Sequence, residues 1–152
     1  MDINTLVLVL ALGHLSLGAT LLLSGHGGAP FTLPPWTLAK WVQGLAWLLI
    51  YWRGALPEPL AFPVADALLC AGVALDAGVL WEAGGRAGWR RPLAAAVAAA
   101  AALLIALYGL GAGPALRAAA TSALLGAFFL GAAAALGRDW RGPAPCSVAW
   151  RW

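Results

Sequence analysis
Several groups able to do chemistry stand inside the most apolar stretches of this chain: His14, Lys40, Asp66, Cys70 and Asp76. A carboxylate inside hydrocarbon costs roughly 2.5–3.5 kcal/mol on insertion scales, so it turns toward the protein interior and takes a partner. Asp66 and Asp76 share one stretch, and Glu82 marks its end. The preceding stretch carries Lys40 at one end and Arg53 at the other, and antiparallel packing would set these at the levels of Asp76 and Asp66 respectively. Two intramembrane charge pairs are therefore expected, Lys40–Asp76 and Arg53–Asp66. Such pairs either fix helix register or form a polar locus for a ligand, a proton or a partner subunit.

His14 is a candidate cofactor-binding residue, since a buried imidazole can ligate haem iron or a chlorophyll magnesium. Haem b usually takes two axial histidines, and the other histidine, His26, falls in a loop and suits a common haem plane poorly. The competing expectation is a hydrogen bond from His14 to a neighbouring helix. Cys70 and Cys146 are expected as free thiols, Cys70 filling space as a small apolar residue. With two histidines and two scattered cysteines, no metal centre is expected. No Ser/His/Asp set, CxxC, HExxH or phosphate-cradling loop is present, so no catalytic residue and no enzyme activity are expected. No cofactor is firmly implied, with lipid or a pigment as the candidates.

The elements that must position these groups are apolar runs at about 3–23, 36–52, 61–81, 92–110 and 115–136. Each approaches the roughly 20 residues that a helix needs to cross about 30 Å of hydrocarbon. They lack the alternation of barrel strands, so the expectation is an all-α polytopic bundle of about five transmembrane helices over residues 1–137. Residues 138–152, rich in Trp and Arg and broken by Pro143 and Pro145, are expected to lie along the interface. The chain is 62% hydrophobic and 10% charged, with mean hydropathy +0.85, which leaves no room for a sizeable water-soluble domain. The first residues carry no positive charge, so the first run reads as a retained span rather than a signal sequence.

Net charge is +3, and the basic residues sit at helix ends, which points to membrane topology and anionic headgroups rather than nucleic acid. Arg53 and Arg117 fall on one side, and Lys40, Arg86, Arg90, Arg91, Arg138, Arg141 and Arg151 on the other. The positive-inside rule then sets the N-terminus in the periplasm and the C-terminus in the cytoplasm of a bacterial inner membrane. Trp36, Trp52, Trp81, Trp89 and Trp140 flank the runs and are expected as interface anchors, while Trp41 and Trp47 lie deeper. Gly84-Gly85 should end the third helix, and Pro57, Pro59 and Pro63 should keep the chain extended before it. The alanines and glycines of the last two runs suit close helix contact, within a tight hairpin or with a partner. Partners are thus expected to be other integral membrane proteins and lipids.

Residues 33–91 also resemble the N-terminal membrane region of bacterial diguanylate cyclases of the GGDEF class. The matching elements are Leu48-Leu49 before Trp52-Arg53-Gly54, the Leu56-Pro57 turn, and a third span from Ala65-Asp66-Ala67-Leu68-Leu69 through Leu75-Asp76 to Trp81-Glu82. Asp66 departs from the pattern, where such proteins often have Asn. The resemblance implies a sensory bundle leading to a cytoplasmic domain that makes cyclic di-GMP. These 152 residues contain no GGDEF motif, so the chain is not expected to be a cyclase by itself. Two functions follow as expectations: a small accessory or structural subunit of a respiratory or photosynthetic membrane complex, or a sensory input module related to those cyclases.

Overall fold
The computed structural model describes residues 2–24, 35–83 and 88–139, and regular structure among them is helical throughout. The order is α1 (Ile3–Ser24), α2 (Pro35–Tyr51), a short 3-10 turn (Trp52–Gly54), α3 (Glu58–Ala83), α4 (Arg90–Gly109) and α5 (Pro114–Asp139). Proline opens α2 and α5, at the helical position where its missing N–H forfeits no hydrogen bond. Pro59 and Pro63 are also helical, which corrects the expectation of an extended approach to α3: the helix starts at Glu58. A Schellman motif closes α4. Gly111 adopts φ +69°, its N–H bonds Tyr108 O at 3.0 Å, and Ala112 N–H bonds Leu107 O at 2.9 Å. The expected stop at Gly84-Gly85, like His26, Trp140 and the interfacial tail, lies outside the described residues.

Four helices are long and apolar enough to cross a membrane, over Ile3–Leu23, Ala61–Glu82, Arg90–Gly109 and Pro114–Ala134. The chain is a multi-pass helical membrane protein. The remaining helix, α2, has 17 residues rising about 25 Å at 1.5 Å each, at the short end of what spans a hydrocarbon core. It packs between α1 and α3, burying Thr37, Ala39, Gln43, Gly44 and Ala46, while Trp36, Leu38 and Leu45 stay exposed.

Cross-helix contacts give the directions. Gly44 faces Leu15 while Gly18 faces Trp41, so α1 and α2 are antiparallel. Gly72 faces Gln43 and Asp76 meets Lys40, so α2 and α3 are antiparallel as well. Asp66 pairs with Thr121 and Trp81 with Gly131, so α5 runs parallel to α3. α4 returns antiparallel to α3, with Trp89 against Gly78. Each helix thus reverses the direction of the one before it.

The close seams are glycine seams. A Cβ on Gly44 would lie 2.7 Å from Leu15, and one on Gly72 would lie 2.5 Å from Gln43 Cγ with backbone atoms of Ala39 and Gln43 at 3.2 Å. In lipid, such close approach supplies the dispersion contacts that hold helices together. The short turn at residues 109–114 reverses the chain as expected, but the close α4–α5 packing expected from the alanine runs does not follow. Both helices dock on α3 and scarcely touch each other, and a cleft of about 320 Å³ opens between them, lined by Trp81, Leu93, Ala96, Leu124 and Phe128.

Candidate functional site
Lys40 and Gln43 are three residues apart on α2 and therefore share a face, which α2 turns toward α3. Lys40 Nζ lies 2.6 Å from Asp76 Oδ2, as the sequence led one to expect. Gln43 Nε2 donates to the same oxygen at 2.7 Å, and Lys40 Nζ donates to Gln43 Oε1 at 3.4 Å. The Lys40 and Asp76 side chains are only 13% and 15% exposed, so water does little to screen them. Lys40 is therefore an interior charge and not a loop residue, and it counts less toward topology than its place in the sequence suggests. Asp76 Oδ1 is buried and has no hydrogen-bond partner among the described residues.

The second cluster lies at the opposite end of α3. The expected Arg53–Asp66 ion pair is not formed. Asp66 Oδ2 instead accepts from Thr121 Oγ1 of α5 at 3.2 Å, and that hydroxyl is also 3.0 Å from Arg117 O. The single hydroxyl proton must be divided between the two acceptors. Arg53, in the 3-10 turn, sets its guanidinium 5.9 Å from the centre of the Phe62 ring. Arg117 reaches the same ring at 5.0 Å and the Tyr108 ring at 5.4 Å. Arg117 Nε is buried without a hydrogen-bond partner among the described residues. Among the described residues neither arginine makes an ion pair, and both line, with Asp66 and Thr121, a cavity of about 400 Å³. The pair failed because Asp66 points toward α5, which nothing in the α2–α3 stretch reveals.

His14 Nδ1 is 2.8 Å from Leu10 O, so the histidine bonds its own helix rather than a neighbouring one. A carbonyl only accepts, so Nδ1 is the donor in this contact, which leaves Nε2 as the ring nitrogen a single-ligand pigment site would use. Among the described residues no group of three His, Cys, Asp or Glu side chains could hold a metal. Cys70 is a buried free thiol.

The tryptophans divide. Trp36 and Trp52 are 50% and 55% exposed, in keeping with an interfacial anchor. Trp89 is not one: it is buried, packs against Ala74 and Leu93, occupies the space a Gly78 side chain would need, and donates Nε1–H to Glu82 at 3.3 Å. Trp81 is half-buried and donates to Gly131 O at 3.2 Å, tying α5 to α3. Trp41 packs on Gly18, and Trp47 lines the cavity around Asp66.

Gln43, Phe62, Arg117 and Thr121 belong to these clusters and were not singled out as site residues from the sequence. Gln43 had a local signal, its helical spacing from Lys40. Arg117 and Thr121 had none, because their role depends on how α5 docks. Comparison with protein-family models, with curated proteins and with solved structures finds no match to this chain.

Proposed function
We propose that this chain is a non-catalytic integral membrane subunit that acts by packing its helices against partner membrane proteins in a larger bacterial assembly, respiratory or photosynthetic. In this reading α2 also crosses the inner membrane, giving five spans with the N-terminus periplasmic and the C-terminus cytoplasmic. The supporting observation is the unused small-residue surface of α4 and α5. A Cβ on Gly126 or Gly131 would meet nothing within 4 Å, and Ala94, Ala95, Ala98, Ala99, Ala118 and Ala119 are exposed. Surfaces of this kind let a second helix approach closely, as Gly44 and Gly72 do inside the chain.

Extraction of native membranes in mild detergent tests the reading. The chain should migrate with other integral membrane proteins, and Gly126→Leu with Gly131→Leu should release it while leaving its own helices folded. Migration as a lone chain, or unchanged association of the double variant, would overturn it. A sensory input module of the diguanylate cyclase type is the second reading, favoured by the polar cavity around Asp66, which is of a volume that suits a small ligand. Co-migration with a cyclase in the same experiment would select it.

A further inference from the structure
The Arg53–Arg117 cavity gathers two positive charges in a chain that has few. Both guanidinium groups lie within 6 Å of one phenyl ring, Phe62, and among the described residues neither has a carboxylate within ion-pair distance. Asp66 shares the cavity, but its bonded oxygen is directed to Thr121. Two like charges held in one cavity of low dielectric repel, and Asp66 offsets only one of them, so a further anion entering the cavity is favoured. Arg117 is already oriented by its two aromatic neighbours, and among the described residues its buried Nε lacks an acceptor.

The position of the cavity specifies the anion further. Arg53 follows the last turn of α2 and Arg117 occupies the first turn of α5, so both stand where a helix leaves hydrocarbon for the headgroup layer. From there the lining turns apolar along Leu69, Leu125 and Trp47. A ligand that fits has a charged head at the two arginines and an apolar body running down the span. Guanidinium forks match phosphate oxygens in pairs, and basic pockets between membrane helices take phospholipid headgroups.

We propose that this cavity binds one phospholipid, its phosphate between Arg53 and Arg117 and its acyl chains along Leu69 and Leu125, with Asp66 accepting from a hydroxyl or ammonium of the headgroup. The cavity borders the small-residue surface of α5 and shares Ala118 with it, but lipid binding is read on the isolated chain and needs no partner.

Native mass spectrometry of the full delipidated chain in detergent provides the test. Phosphatidylglycerol should bind with one-to-one saturation, and Arg117→Gln should weaken it about tenfold, the usual scale for losing one charged two-pronged contact. Diacylglycerol, which has the tails without phosphate, and glycerol 3-phosphate, which has the phosphate without tails, should each bind far more weakly. Phosphatidylcholine, whose headgroup has no donor for Asp66, should fall between. Equal binding of diacylglycerol, or unchanged binding by an Arg53→Gln, Arg117→Gln double variant, would overturn the site. Tight binding of glycerol 3-phosphate alone would make it a site for a soluble anion and refute the lipid. Ser122→Trp, which fills the cavity and keeps every charge, must also lose phosphatidylglycerol, so the proposal stays exposed even if the arginine variants do not fold.

Discussion
In the α1–α2–α3 unit a side chain on Gly44 or Gly72 would collide with the neighbouring helix, whereas in α5 one on Gly126 or Gly131 would meet nothing within 4 Å. The same residue type closes one half of the molecule and leaves the other open. The first half also carries the Lys40–Gln43–Asp76 network across its central seam. The second is held to α3 by the Trp89 cluster, the Trp81 bond to Gly131 and the Thr121 bond to Asp66, with a cleft between its own helices. Small residues therefore do not specify packing by themselves. A polar pair that must be satisfied selects which small-residue faces meet.

The largest expected effect comes from removing that selection. Asp76→Ala leaves Lys40 charged and mostly buried without a counter-ion, and loss of one partner of a buried pair costs about 3–5 kcal/mol. Unfolding by SDS titration in mixed micelles should show it, and Lys40→Met combined with Asp76→Leu should restore most of the loss. If Asp76→Ala unfolds like the parent, the network does not hold the first half together. The next effect sharpens the contrast between the halves. Gly72→Leu should destabilise by about 1–3 kcal/mol through overpacking against backbone that cannot move aside, while Gly126→Leu should leave the isolated chain's unfolding curve in place. Equal sensitivity at the two sites would erase the distinction. The smallest effect is Trp81→Phe, which keeps an aromatic ring at the position and loses one hydrogen bond, an expected cost of about 0.5–1.5 kcal/mol. Its readout is faster proteolysis within α5 at unchanged protection of α1–α3.

The helices lie close to where the apolar runs suggested, since a span-length hydrophobic segment has few alternatives to a helix. α2 keeps the expected length, Pro35–Tyr51 against 36–52, whereas α3 runs longer than expected, Glu58–Ala83 against 61–81. Lys40–Asp76 was legible because two consecutive antiparallel helices fix each other's levels. Arg53–Asp66 was misread for the complementary reason. Its level was right, but which face of α3 carries Asp66, and which helix covers it, depends on α5, and neighbours distant in sequence leave no periodic trace. Trp89 was misread as an anchor because indole at a helix end is ambiguous: Gly78 opens a pocket for the ring on a different helix. The glycine seams were hidden by composition, since alanine-rich α4 and α5 look more prone to pack than α1–α3 do.

The Thr121 bond to Asp66 joins residues 55 positions apart, against 36 for Lys40 and Asp76. Chain order gives these distances a meaning during synthesis. When Asp76 leaves the ribosome, Lys40 has already been made, and the two can meet as soon as the third helix enters the insertion channel. Asp66 emerges before any part of the helix that will cover it. The nascent third helix must therefore shelter that carboxylate, at the channel's lateral gate or among headgroups, until translation has carried the polypeptide past Thr121.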